Sequence, residues 1–131
     1  MFEMKEQYKL GVLQIDEEHE KLFEIGESAF ILLNDNYSID KYDRIVDIIE
    51  ELVDYTKVHF KDEENYMKQI GYRGLETQIE DHKKFVHKIN SLDLNNINKD
   101  QDEYIMGIFK FVADWLVHHI IEKDLLITAR N

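Results

Sequence analysis

The sequence predicts an all-α fold, an antiparallel up-down-up-down four-helix bundle with an irregular N-terminal arm. The 131 residues include no proline, which helix interiors strongly exclude. Apolar residues recur at spacings of three and four in four separate segments, the period of an amphipathic helix. Because the connections between these segments are short, successive helices are expected to be antiparallel neighbours. With 44% hydrophobic residues, the chain predicts a single domain over residues 1–131.

The first helix is expected after an arm of about fifteen residues, with Asp16 as its N-cap. Its inward face contains Ile15, His19, Leu22, Gly26, Ala29, Phe30 and Leu33. The second helix is expected to begin near Ser38 or Asp40 and to end at Gly71, a residue suited to a left-handed C-terminal stop. Its inward face contains Ile45, Ile48, Ile49, Leu52, Thr56, His59, Glu63, Met67 and Ile70.

The segment GYRG at residues 71–74 predicts a turn before the third helix. That helix is short, ends in the polar run 93–98, and places on one face Leu75, Gln78, Ile79, His82, Phe85, Val86, Ile89 and Leu92. Asn98 with Gln101 resembles a capping box that opens the fourth helix. Inward positions of the fourth helix include Ile105, Ile108, Val112, Trp115, Leu116, His119 and Ile120.

Composition excludes several classes of function. The chain has no cysteine, so neither disulfides nor thiolate metal sites can form, and any metal must be held by nitrogen and oxygen. Its net charge of −12 opposes binding to nucleic acid or to an anionic membrane. We find neither a leader peptide nor a run of about 20 apolar residues, so a cytoplasmic protein is expected.

Histidines and carboxylates recur on the inward faces of all four predicted helices. His59 and Glu63 are four residues apart, about 40° around a helix, so both can face one ion. Asp124 is five residues beyond His119, about 140° away, but it continues the otherwise apolar stripe Leu116, Ile120 and Ile127. Together with His19 and His82, these groups form a ligand set suited to iron in a bundle core.

A lone inward histidine has an ordinary alternative, since partly buried histidines are often satisfied by a backbone hydrogen bond. Burying four imidazoles and two carboxylates without a cation is harder to explain, because each unpaired charge costs several kcal/mol. His87 lies on a polar face and is expected to be solvated. His118 points away from His119 and, with Glu122, forms either a surface ion pair or an alternative ligand pair. His87 and His118 are therefore left out of the site.

The chain resembles the bacterial hemerythrins over essentially its full length. The segments that carry the resemblance are GVLQIDEEHEKLF, HFKDEENYMKQIGYRGLE, QIEDHKKF and WLVHHIIEKD. The resemblance implies an antiparallel four-helix bundle with two non-haem irons, bridged by an oxo or hydroxo group, that bind dioxygen reversibly.

Position by position, the resemblance implies that His19 and His59 ligate the iron that is open to dioxygen. Glu63 and Asp124 would bridge both irons, and His82 and His119 would ligate the other. The implied oxygen pocket is an apolar wall of Leu22, Phe60, Trp115, Leu116 and Ile120, residues that also suit ordinary core packing.

Gln78 stands where the family has a third histidine on the second iron. An amide is a neutral, weak donor, so Gln78 would ligate iron weakly, hold a water in the vacant position, or leave it empty. The leading interpretation is reversible dioxygen binding for transport, storage or sensing. The alternatives are a diiron oxidase or peroxidase made more reactive by Gln78, and a helical interaction module without metal. A sensor would need a separate protein partner.

Overall fold

Four long helices make up most of the chain in the computed structural model, which describes residues 3–35, 37, 40–92 and 100–128. They are α1 (Leu13–Leu33), α2 (Tyr42–Ile70), α3 (Leu75–Asn90) and α4 (Gln101–His119). A 3-10 turn, Glu6–Tyr8, precedes α1, and a π-helical turn, Ile120–Asp124, followed by the short α5 (Leu125–Thr128), continues α4. No strand occurs in the described ranges, so the predicted all-α fold is confirmed.

A small apolar cluster, here called the end cluster, shows how the helices run. It is formed by Leu10, Ile15, Met67 and Ile127. Leu75, at the start of α3, packs against it. The cluster therefore collects the N-terminal ends of α1 and α3 and the C-terminal ends of α2 and of the helix that continues α4. Because α1 packs against α2 and α4, and α2 against α3, the helices form the predicted up-down-up-down bundle.

A larger apolar cluster, the main core, fills the rest of the bundle. All four long helices contribute to it, and among its most buried members are Leu32, Leu52 and Ile105. These residues lie on the stripes that the helical period predicts. The main core and the end cluster leave between them a layer in which the buried side chains are polar.

The start of α1 differs from the prediction. The helix begins at Leu13 with Val12 at the N-cap position, so the prediction of Asp16 as N-cap is wrong. The Asp16 carboxylate instead accepts hydrogen bonds from the backbone N–H groups of Leu10 (2.8 Å) and Gly11 (3.1 Å). Gly11 has a φ of 90°, a left-handed conformation that favours glycine. Asp16 thus anchors the N-terminal arm against the helix that it was expected to cap.

At the other helix ends, one prediction agrees with the structure and another does not. Gly71 ends α2 with a φ of 67°, as predicted. Asp100 caps α4 by accepting from the backbone N–H of Glu103 at 3.0 Å. The cap is therefore two residues later than the predicted Asn98. Asn98, like the rest of 93–99, lies outside the described residues.

The Gln101 side chain joins two helix starts instead of closing a capping box. Its Oε1 accepts from the backbone N–H of Lys41 at 2.7 Å, and its Nε2 donates to Asp40 at 2.9 Å. Asp40 also accepts from the N–H of Tyr42, where α2 begins, while Ser38, the other predicted start, lies outside the described residues. The starts of α2 and α4 are therefore tied together at the end of the bundle opposite the end cluster.

The helical stretch Gln101–Thr128 is long and apolar enough, by length and composition alone, to cross a bilayer. From the sequence, no run of about 20 apolar residues was expected, whereas this stretch qualifies by its mean hydropathy. The core helix of a bundle passes the same test, and this one packs Ile105, Ile108 and Val112 into the main core.

Candidate metal centre

A layer of buried polar side chains crosses the bundle between the main core and the end cluster. All its members are at most 6% exposed: His19, His59, Glu63, Gln78, His82, His119 and Asp124. Each long helix contributes at least one of these residues. On every helix they are spaced in register with the buried apolar residues, so they face the interior of the bundle. The structure therefore brings together all seven candidate ligand residues of the sequence analysis.

Glu63 lies at the middle of this layer. Its Oε2 is 3.3 Å from Nε2 of His19 and 3.3 Å from Nε2 of His59. Its Oε1 is 3.0 Å from Nε2 of His82 and 3.9 Å from Nε2 of His119. One carboxylate oxygen thus faces the histidines of α1 and α2, and the other faces those of α3 and α4.

Asp124 repeats this arrangement from the opposite helix. Its Oδ2 is 3.2 Å from Nε2 of His19, and its Oδ1 is 3.1 Å from Nε2 of His119. Ligand atoms within 4.8 Å of one another form two groups that share Glu63. The first group is His19, His59 and Glu63, and the second group is Glu63, His82, His119 and Asp124. Two neighbouring positions able to hold a metal ion result.

The π-helical turn explains how Asp124 reaches the site. In a regular α-helix a residue five positions after His119 lies about 140° away. Here the backbone N–H of Leu125 donates to the carbonyl of Ile120, five residues earlier, and a turn closed by such bonds contains one extra residue. His119 and Asp124 therefore share a face. Turns of this kind are frequent at functional sites.

Carboxylates outside the layer orient two of the imidazoles and lie near a third. The Nδ1 atoms of these rings face an acidic side chain on another helix, at 2.9 Å for His59 and Glu18, 2.7 Å for His82 and Glu64, and 3.9 Å for His119 and Asp81. Because a carboxylate only accepts hydrogen bonds, Nδ1 of His59 and of His82 donates to its acidic partner, which leaves Nε2 of each ring as the atom that would bind a metal ion. The sequence analysis missed these three acids, since each lies on a different helix from its histidine.

Unpaired buried atoms test whether a cation fits this site. Buried atoms with no hydrogen-bond partner in the described part of the chain include His19 Nε2, Glu63 Oε2, Gln78 Oε1, His119 Nε2 and Asp124 Oδ2. Buried polar groups are normally hydrogen-bonded, and buried nitrogen and oxygen atoms that converge and are left without a partner are suited to a metal ion. The residues therefore fit a dinuclear site with nitrogen and oxygen ligands.

Without metal, the same carboxylates favour protonated imidazoles. Burial opposes the charged form of His59, but hydrogen bonds with Glu18 and Glu63 outweigh it and raise its pKa to about 10. Burial also opposes the charged form of His119, yet Asp124 and Glu63 raise its pKa to about 9. Burial would raise the pKa of Glu63, whereas hydrogen bonds with the surrounding histidines hold it well below its usual value. Metal binding must therefore displace protons from the site.

Gln78 occupies the layer with a defined orientation. Its Nε2 donates to Asp124 Oδ1 at 3.0 Å, and its side chain is 1% exposed. Its Oε1 is buried with no hydrogen-bond partner in the described part of the chain. The amide is therefore directed into the second group of ligands.

The five residues of the predicted oxygen pocket lie next to this layer. Leu22, Leu116 and Ile120 are buried in the main core. The Phe60 ring stacks on His82 with centroids 4.0 Å apart, and Trp115 stacks on His119 at 4.3 Å. The Phe60 ring also contacts His59 of the first group, with centroids 5.6 Å apart, so the aromatic rings border both groups of ligands.

A surface groove of about 620 Å³ lies between α2 and α3 and reaches Phe60 and His82. Its walls include Lys57, Lys61 and Lys83. The groove gives small solutes an approach from solvent to the edge of the buried layer.

The two histidines left out of the site lie on the surface. His87 is exposed. The side chain of His118 is 69% exposed, and its Nδ1 is 3.9 Å from Glu122. Of the two alternatives for His118, the surface pair is the one observed.

Comparisons with known proteins agree with this geometry. Residues 10–129 match the family described as "Hemerythrin HHE cation binding domain". The chain is 44% identical over 124 residues to a "Bacteriohemerythrin" of Clostridium acetobutylicum, covering 95% of this chain and 96% of that protein. It is 29% identical to a "Bacteriohemerythrin" of Methylococcus capsulatus, covering 85% and 81%. For one of Pseudomonas paraeruginosa the identity is also 29%, covering 87% and 71%.

Proposed function

Because this chain belongs to the hemerythrin family, we propose that it binds dioxygen reversibly at two carboxylate-bridged non-haem irons in the bundle core. The observation that carries the proposal is the pair Glu63 and Asp124, each with one oxygen toward His19 and the other toward a histidine of the second group. The irons, with a bridging oxo or hydroxo group, supply the redox chemistry by which dioxygen is bound and released.

The residues divide between the two iron positions. His19 and His59 hold the iron that is open to dioxygen, and His82 and His119 hold the other. Glu63 and Asp124 belong to both positions, which accounts for the placement of their oxygens on either side of the layer.

The apolar surroundings give the chain its control over water and protons. Leu22, Leu116 and Ile120 are at most 3% exposed, so they exclude bulk water from one side of the layer. A dry, apolar wall limits proton delivery and therefore slows irreversible oxidation of the site.

A second function, a diiron oxidase or peroxidase, is favoured by one observation. Gln78 replaces a stronger imidazole donor with a neutral amide, and a less firmly held iron is more exposed to irreversible oxidation. We therefore predict that Gln78→His slows autoxidation of the oxygenated protein. If the variant autoxidises as fast as the wild type, Gln78 does not set the reactivity of the site.

The decisive experiment is an anaerobic iron titration followed by mixing with oxygen. We expect close to two irons per chain by metal analysis and an oxygenated spectrum that is stable and is reversed by argon. Rapid bleaching with peroxide turnover would favour the enzyme, and iron well below one per chain would contradict both functions.

Thermal unfolding distinguishes the third reading, an interaction module without metal. A metal that binds only the folded chain at a thousand times its Kd stabilises it by about 4 kcal/mol. We expect the iron-loaded protein to melt at a higher temperature than the metal-free protein, whereas equal melting temperatures would support the module.

A further inference from the structure

We propose that the two ends of the Gln78 amide have different roles. This proposal rests on the proposed two-metal site. Its N–H holds Asp124 in place, and its carbonyl oxygen is a ligand of the metal held by His82 and His119. That metal position is therefore oxygen-rich, and it accepts Mn²⁺ in competition with Fe²⁺.

The orientation of the amide follows from its partner. Gln78 Nε2 lies 3.0 Å from Asp124 Oδ1, and a carboxylate oxygen accepts hydrogen bonds only. The amide nitrogen must therefore face Asp124, because the reversed amide would place two acceptors against each other. The carbonyl oxygen is left buried and without a partner in the described part of the chain.

The contact also identifies which metal position receives the oxygen. Asp124 Oδ1, the atom bonded to Gln78, is the oxygen that lies 3.1 Å from His119 Nε2. The other oxygen, Oδ2, faces His19. Gln78 is thus on the side of the second group, where it adds a carbonyl oxygen to two imidazoles and two carboxylates.

The chemistry of that set predicts its metal preference. Carboxylate and carbonyl oxygens suit Mn²⁺, whereas imidazole suits iron, and a nitrogen-rich site binds Fe²⁺ more tightly than Mn²⁺. An imidazole at position 78 would raise the preference for iron. An amide at this position reduces the difference in binding affinity between Fe²⁺ and Mn²⁺.

Metal competition in matched variants tests the proposal. Metal-free wild-type protein, Gln78→His and Gln78→Leu are mixed anaerobically with equal Fe²⁺ and Mn²⁺, and bound metals are counted by mass spectrometry. We expect the wild type to retain a measurable fraction of one Mn²⁺ per chain, because Fe²⁺ still competes for the position, and Gln78→His to bind about tenfold less Mn²⁺ than the wild type. We expect Gln78→Leu to lose most of one metal, because it removes both the ligand and the anchor of Asp124.

Gln78→Glu separates the two roles. It keeps an oxygen ligand at the same position but removes the N–H that holds Asp124, so we expect it to retain more metal at the second position than Gln78→Leu, which has neither. Far-UV circular dichroism checks that each variant folds.

Two outcomes would overturn the role of Gln78. In the first, the Mn²⁺ to Fe²⁺ ratio is the same in the wild type and in Gln78→His. In the second, Gln78→Leu holds two metals with wild-type affinity. Both leave the dinuclear site intact, whereas iron well below one per chain in the wild type contradicts the proposed function itself.

Discussion

Glu63 is the residue on which the buried layer depends most, because its two oxygens face an imidazole from every long helix. It is fully buried, and a charge in that environment is stable only if it is paired. The pKa values of His19, His59 and His119 are raised by buried carboxylates that include Glu63, so Glu63 and these imidazoles stabilise each other even before metal binds.

Replacing Glu63 by glutamine removes the charge and keeps the shape. We expect Glu63→Gln to bind no more than one metal per chain and to lose about 3 kcal/mol of unfolding free energy in the metal-free state. Metal analysis and urea unfolding measure the two effects. Glu122→Gln, which alters only the exposed pair with His118, is the control, and equal losses in both variants would contradict a special role for Glu63.

The raised histidine pKa values predict how the stability of the metal-free protein depends on pH. Folding raises the pKa of His59 from 6.5 to about 10 and that of His119 from 6.5 to about 9. A raised pKa means that the folded state holds protons more tightly, so this stabilisation is complete below pH 6.5 and is lost as pH rises to about 10. Urea unfolding from pH 6 to 10 should show a continuous loss of stability.

The metal-loaded protein is the matched comparison, because bound metal replaces the protons. Its stability should change less over the same interval, and metal binding at pH 7 should release protons that a weakly buffered solution detects. If the free energy of unfolding depended on pH in the same way in both forms, metal binding would not replace the histidine protons.

Among the helical elements, the inward faces were predictable and several helix ends were not. His59 and Glu63 lie where a helical period places them, because burial of an apolar stripe fixes which face turns inward. The predicted cap at Asp16 failed, since a carboxylate near a helix start can accept from the preceding arm as well as from the helix. The direction of Asp124 required the π-helical turn, which no spacing rule for an α-helix includes.

Single-residue deletions test that turn. Deleting Glu122, which is exposed, should convert the π-helical turn into a regular helix and leave the aspartate four residues after His119, about 40° away. We expect this variant to keep both metals, with affinity reduced by no more than about tenfold.

Deleting Asp114, another exposed acid, is the matched control. It lies within regular α-helix, so its removal rotates both His119 and Asp124 by about 100° relative to the main core. Metal binding at the second group should be lost. Equal metal content in the two deletion variants would show that the π-helical turn does not set the direction of Asp124.

In the molecule as a whole, the segment before α1 and the short α5 meet beside the buried layer. Leu10 and Ile127 both belong to the end cluster, and the Thr128 hydroxyl donates to the Leu10 carbonyl at 2.9 Å. Leu10→Ala should cost about 2 kcal/mol and speed the release of bound metal to a chelator about tenfold, since a looser end cluster opens more often.

Leu13→Ala is the control for this prediction. The substitution is identical, but Leu13 is 74% exposed whereas Leu10 is 8% exposed. Metal release from Leu13→Ala should match the wild type, and equally fast release from both variants would place the exit route elsewhere.

The position of the polar layer has a consequence for folding cooperativity. With metal, the layer links the end cluster to the main core, and the bundle should open as one unit. Without metal, charged and protonated groups separate the two clusters, so the smaller one should open alone while the larger one stays closed. Amide hydrogen exchange near Ile15, Met67 and Ile127 would then become faster than exchange near Leu32 and Leu52. Loss of the metal ions would begin as local unfolding at the end of the bundle that contains the end cluster.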